Sequence, residues 1–99
     1  MGVAVEAVIG DPGFENWLVN KVLGWLSARG VRLPEFIMSE LCPTSDGVRL
    51  RLHEVVELGD GDWVAVGVFY EVSFSHQELE FFYRGYLEER VARLDHIAG

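Results

Sequence analysis

The sequence predicts an α/β (α+β) fold: a two-layer sandwich with two helices on one face of a four-stranded mixed sheet, in the order β-α-β-β-β-α. Three observations predict it: a short valine-rich segment followed by a helical stripe, two alternating segments around an Asp-Gly turn, and a second helical stripe that ends the chain. A right-handed crossover through the first helix makes the first two strands parallel, and hairpins add the other two.

The amino-terminal quarter predicts a strand and then a helix. Residues 3–9, VAVEAVI, are short and rich in β-branched side chains, which favours a strand. Asp11 and Pro12 are typical of a helix start, because aspartate caps free amides and proline loses no hydrogen bond at the first helical position. Apolar residues at helical spacing continue to Leu26, and Gly30 suits a left-handed helix end.

The middle of the chain predicts three strands. Residues 34–43 are bracketed by prolines, which predicts a short strand near a sheet edge. Residues 46–58 alternate apolar and polar side chains, as a half-buried strand does. The stretch ELGDGDWVAV then predicts a turn, because Asp-Gly between strand patterns favours a hairpin and the valines after it offer no ligands to calcium.

A three-residue loop at residues 60–62 predicts the register of this hairpin. One sheet face becomes almost wholly apolar, and Arg51 faces Glu71 on the other. The predicted pairs are Leu50 with Val72, Leu52 with Tyr70, His53 with Phe69, Val56 with Val66, and Leu58 with Val64.

The last segment, from residue 75, predicts a long helix that runs into the nineties. Ser75 and Glu78 form a capping box, and Phe74 is placed to pack onto Leu79. Gly85 interrupts the stripe, and its expected purpose is close packing against a neighbouring element.

The predicted element order is similar to that of double-stranded-RNA-binding and ribosome-hibernation domains, but the resemblance is one of topology alone. The basic motifs of those domains are absent, and the chain has 16 acidic and 8 basic residues, a net charge of −8. Such a charge repels phosphate backbones, so we expect no nucleic-acid partner.

The totals predict one compact, soluble, cytoplasmic domain over residues 1–99. The amino terminus lacks the basic region of a signal peptide, and no apolar stretch approaches the ~20 residues of a membrane helix. A single cysteine gives no sign of an oxidising compartment. We therefore expect no membrane partner.

Signals for catalysis, metals and cofactors are missing from the sequence. The histidines are far apart, and His53 and Glu57 on one strand face stand about 13 Å apart. Phosphate-cradling and nucleophile-elbow motifs do not occur. The sequence thus favours a role other than catalysis, with no metal and no cofactor.

Glu54 supplies the main alternative. In the predicted register it points to the apolar face, where an unpaired carboxylate costs several kcal/mol or takes up a proton. A bulge near residues 53–56 would turn it outward. Otherwise it would be a general base in a pocket between sheet and helices, working with Tyr70, in a small-molecule-binding protein or enzyme.

The sheet face that carries Arg51 and Glu71, opposite the helices, predicts the function. It carries an apolar centre within a charged rim, which is typical of association surfaces. We expect an interaction module, most simply a homodimer, that binds itself or another protein; an acidic inhibitor or immunity-type protein that masks a basic partner is a further alternative. The residues predicted for the association face are Trp63, Phe69, Val55, His53 and Arg51.

Overall fold

A computed structural model of the protein describes residues 5–98, and the surroundings of side chains from residue 5 to residue 93. The three strands form one antiparallel sheet in the order β1-β2-β3. The elements along the chain are α1 (Val5–Ile9), α2 (Pro12–Ala28), β1 (Ile37–Pro43), β2 (Gly47–Leu58), β3 (Asp62–Ser75) and α3 (His76–Ala98).

The predicted four-stranded mixed sheet in the order β-α-β-β-β-α is wrong, because the segment predicted as its first strand contains helix α1. Val8 is fully buried and Val5 and Ile9 are partly buried against the core, whereas Glu6 and Ala7 are exposed. This spacing of i, i+3 and i+4 suits a helix and not a strand. Residues 3 and 4 of the predicted strand lie outside the described residues. The strands described between residues 5 and 98 therefore include no parallel pair.

The predicted start and end of the first long helix are confirmed. Asp11 precedes α2, and its Oδ1 accepts hydrogen bonds from the amides of Gly13 at 3.1 Å and Phe14 at 3.2 Å. Pro12 is the first helical residue. Gly30 follows the helix end with a φ of 79°, in the left-handed region that favours glycine.

The predicted capping box of the last helix is also confirmed. The Ser75 Oγ accepts from the Glu78 amide at 3.1 Å, and the Ser75 amide donates to Glu78 Oε1 at 3.0 Å. Helix α3 then runs to Ala98.

The turn predicted from ELGDGDWVAV is confirmed, one residue earlier than expected. Leu58 pairs with Asp62, so the loop is residues 59–61, and Gly61 has a φ of 89°. The predicted pairs Leu50–Val72, Leu52–Tyr70 and Arg51–Glu71 are confirmed.

Nearer the turn the predicted register is wrong by up to two residues, because β3 contains two bulges. Between the pairs Leu52–Tyr70 and His53–Val68 one residue of β3, Phe69, is extra, and Val66 is extra in the same way further along. A bulge of this kind disrupts the ladder and increases the local twist. The true distal pairs include His53 with Val68, Val56 with Val64, and Leu58 with Asp62.

The core lies between the sheet and the helices. Helix α2 contacts β1, and α3 contacts β2 and β3, so both long helices cover the same face of the sheet as predicted. None of the helices described between residues 5 and 98 combines the length and apolar character needed to cross a lipid bilayer. The buried residues are Val8, Phe14, Leu18, Val19, Val22, Leu26, Leu41, Val48, Leu50, Leu52, Phe74 and Leu79.

Candidate association surface

The β2–β3 hairpin extends beyond the helices that cover its base. Along β2 the helix-facing side chains are buried from Val48 to Leu52, but Val56 and Leu58 on the same side are 37% and 49% exposed. At about 3.3 Å per residue, the six residues from 53 to 58 span roughly 20 Å. This distal part of the hairpin therefore exposes a sheet face that its own helices leave uncovered.

On the opposite face, Trp63 is held by an aromatic neighbour. It is 49% exposed and meets the ring of Phe36 edge to face, with centroids 4.7 Å apart and ring planes at 73°. Phe36 is fixed in place because its carbonyl accepts from the Val55 amide at 3.1 Å. The sequence reasoning missed Phe36, and the available signal was a large aromatic residue inside the segment 34–43 that was predicted as an edge strand.

Large apolar side chains are concentrated around this part of the hairpin. Each of the eight is between 37% and 57% exposed, and residues 63–70 contain no charged side chain. We call this set the distal hairpin surface, and it consists of Phe36, Met38, Val56, Leu58, Trp63, Val64, Val66 and Val68.

Charged side chains border this surface on the outer sheet face. Arg51 lies between Glu40 at 3.6 Å and Glu71 at 3.2 Å, across all three strands. Arg49 also reaches Glu71 at 3.2 Å, and the His53 Nε2 lies 3.5 Å from Glu40. Because most of these side chains are about 40% exposed, solvent screens the pairs and each stabilises the fold little. The arrangement is an apolar area with a charged rim.

Four of the five residues predicted for the association face share the outer side of the sheet, as their register shows: Trp63, Val55, His53 and Arg51. Phe69 does not. It is the extra residue of a bulge opposite Leu52, and it packs against the buried core. The expected pair of Trp63 with Phe69 is therefore replaced by the pair of Trp63 with Phe36.

Glu54 and Tyr70, the residues of the alternative pocket, do not share a cavity. Tyr70 packs against the core, whereas Glu54 is exposed. The bulges lie where a bulge was expected, but the extra residues are in β3. Glu54 is exposed because it lies on the distal part of the hairpin, which the helices leave uncovered. The groove that Glu54 lines is open, holds about 200 Å³, and includes Glu35, Phe36, Val55, Val56 and Glu57.

Comparison of the chain with known protein families, curated proteins and solved structures found no match. The functional proposal below therefore rests on the geometry of the described residues.

A second concave region lies between α2 and α3, over an aromatic cluster. Phe14 meets Tyr83 and Tyr86 edge to face at 5.1 and 5.6 Å, and Trp17 donates to Glu89 Oε2 at 2.6 Å. The open groove beside them holds about 340 Å³ and has polar walls that include Asn16, Asn20, Arg90 and Arg93. The aromatic contacts and the hydrogen bond beside this groove hold α2 against α3.

Tyr83 has an unusual environment within this cluster. Its hydroxyl donates to Asp11 Oδ2 at 3.3 Å. Burial and the nearby Asp11 carboxylate together raise the pKa of Tyr83 above its usual value of 10.0. The neutral phenol thus links the last helix to the cap of α2. Among the described residues, no group of three or more His, Cys, Asp or Glu side chains is placed to hold a metal ion.

Proposed function

We propose that this protein is an association module that forms a homodimer through its distal hairpin surface. The observation that carries the proposal is the set of eight exposed apolar side chains on and beside the distal part of the hairpin, which the helices do not cover. Concentrations of exposed apolar side chains like this one, bordered by charge, mark interaction sites more often than they mark plain surface.

The molecule is more extended than a compact domain of its length, which supports the proposed dimer. Its radius of gyration is 15.3 Å, whereas a compact domain of this length has about 12.6 Å. Completing the burial of a half-exposed valine or leucine gains on the order of 1 kcal/mol. In a symmetric dimer both copies bury such side chains. Their summed free energy of burial is on the scale needed to offset the several kcal/mol of translational and rotational freedom lost on association.

The test is molar mass by light scattering over a concentration series, for the wild type and for Trp63→Asp. We expect a wild-type dimer and a folded monomeric variant, because the substitution places a carboxylate in the centre of the apolar area. Trp63 is already 49% exposed, so the change removes little core packing.

Phe81→Asp is the matched control, since Phe81 is a large aromatic residue on α3, 72% exposed and outside the distal hairpin surface. Circular dichroism checks that both variants are folded. A wild type that stays monomeric at all concentrations rejects the proposal, and so does a Trp63→Asp protein that remains dimeric.

A further inference from the structure

Strand β3 is an open edge of the sheet. It pairs with β2 on one side, and on its other side no backbone hydrogen bond is found within residues 5–98. Two of its 14 residues are extra at the bulges, so the strand spans about 40 Å. An edge of this length offers a row of free amide and carbonyl groups, which is a template for another strand.

The two edges of the sheet differ in their protection. Strand β1 has seven residues, ends at Pro43, carries Glu40, and is tied to α2 by a 2.6 Å hydrogen bond from the Ser39 hydroxyl to Glu15. Residues 63–70 of β3, WVAVGVFY, contain neither charge nor proline. The two bulges are the protective feature of β3. Because β1 is shorter, carries a charge and a proline and is tied to α2, whereas residues 63–70 of β3 have only the bulges as protection, pairing is expected at β3 and not at β1.

Helix α3 presents apolar side chains on the β3 side. Gly85 and Glu89 face Trp17 of α2. Leu87 follows Gly85 by two residues, and Val91 follows Glu89 by two. A step of two residues turns a side chain about 200°, to the opposite side of the helix. Because α2 contacts β1 and α3 contacts β2 and β3, that side points toward the open edge. Leu87 is 38% and Val91 56% exposed.

We propose that β3 of a second copy pairs antiparallel with this β3 about a two-fold axis near Val66 and Gly67, giving a continuous six-stranded sheet. This inference rests on the proposed homodimer and specifies how it forms. The uncharged segment 63–70 is its own complement, so two chains of net charge −8 meet where neither carries charge.

The same arrangement supplies cover for the distal hairpin. Antiparallel pairing about residues 66 and 67 places the turn of each copy, residues 59–61, beside residues 72–74 of the other. Those residues belong to the half of the sheet that α3 covers, where Phe74 is buried. Each copy therefore brings the helix-covered half of its sheet beside the uncovered hairpin of the other.

The test combines isotope-filtered NMR with one variant. Dimers mixed from differently labelled wild-type chains should show interchain backbone NOEs between residues 63 and 70, in antiparallel order. Val66→Lys should raise the dissociation constant at least about tenfold, because two lysines meet near the axis and two buried valines are lost. Val66 is 57% exposed, so this monomer should fold.

Phe81→Lys is the control and should leave the dissociation constant unchanged. If the wild type is a dimer without these NOEs, or if Val66→Lys dimerises as tightly as the wild type, edge pairing is wrong while the homodimer stands. In that case NOEs between Trp63 and Phe36 of opposite chains would indicate packing through sheet faces. A monomeric wild type overturns both proposals together.

Discussion

Gly47 opens β2 opposite Ser75, with its α-carbon against the backbone of Phe74. An added β-carbon there would overlap the Phe74 carbonyl, and backbone atoms cannot move aside as a flexible side chain does. Gly47→Ala should therefore lower the free energy of unfolding by about 1–3 kcal/mol or more, as overpacking does. Urea unfolding followed by circular dichroism measures the change.

Gly24 is the matched control for that substitution. It lies within α2, and a β-carbon added to it meets no atom within 4 Å. Gly24→Ala should stabilise the protein by about 1 kcal/mol, because alanine loses less backbone entropy in a helix. Equal changes in the free energy of unfolding for Gly47→Ala and Gly24→Ala would contradict the close approach that requires glycine at residue 47.

Single residues also mark where sequence reasoning fails. Trp63 was correctly placed on the outer face by alternation, because the two bulges of β3 together shift the register by two residues and so restore the alternation. Phe69 was misplaced, because a bulge re-aims a side chain without leaving a signal in the sequence. Gly85 was expected to permit close packing, yet a β-carbon there would lie 3.7 Å from Trp17, which is ordinary contact.

At the level of elements, the joint between α2 and α3 should make stability sensitive to alkaline pH. The raised pKa of Tyr83 means that the folded protein keeps a proton that the unfolded chain loses near pH 10.0. This contribution is fully present below that pH and is lost as the pH rises through the folded pKa. Stability should thus fall above pH 10.0 in part because of Tyr83.

Tyr83→Phe tests this joint. The variant should be about 1 kcal/mol less stable at neutral pH, because the hydrogen bond to Asp11 is lost. Above pH 10.0 the difference in free energy of unfolding between the variant and the wild type should become smaller. Urea unfolding at a series of pH values measures it, and parallel pH profiles for the two proteins would show that Tyr83 does not titrate differently on folding.

Elements with local signals were predictable, and those decided by tertiary contacts were not. The caps at Asp11 and Ser75 and the turn at Gly61 were readable because each depends on neighbouring residues. Helix α1 was missed because five residues carry too little pattern to outweigh the β preference of valine. Its helical state is explained by the burial of Val8 against the rest of the fold.

For the whole molecule, the net charge of −8 predicts how salt affects the dimer. Two such chains repel each other, and salt screens this repulsion as the Debye length falls. The dissociation constant should therefore decrease several-fold when sodium chloride rises from about 0.05 M to about 0.5 M. Sedimentation velocity at both salt concentrations measures it.

The opposite salt dependence would identify a different interface. If salt weakened self-association, contacts between Arg49 or Arg51 and glutamates of the other chain would hold the dimer. A complex with a basic foreign protein, as an acidic inhibitor forms, would also weaken with salt. The association residues were predictable only in part, because the sequence shows which face of a strand is apolar but not how far the helices extend over it.

The aromatic cluster at the helix joint has a consequence for how the chain folds during synthesis. It bonds the second element to the last one, and the hydrogen bonds from Trp17 to Glu89 and from Tyr83 to Asp11 each join residues 72 positions apart. At the usual ribosomal rate, roughly 4 to 14 s separate their emergence. The three neighbouring strands pair residues that are at most 28 positions apart, at Gly47 and Ser75, so they wait less. We therefore expect the sheet to pair before α2 acquires its aromatic partners from the final helix.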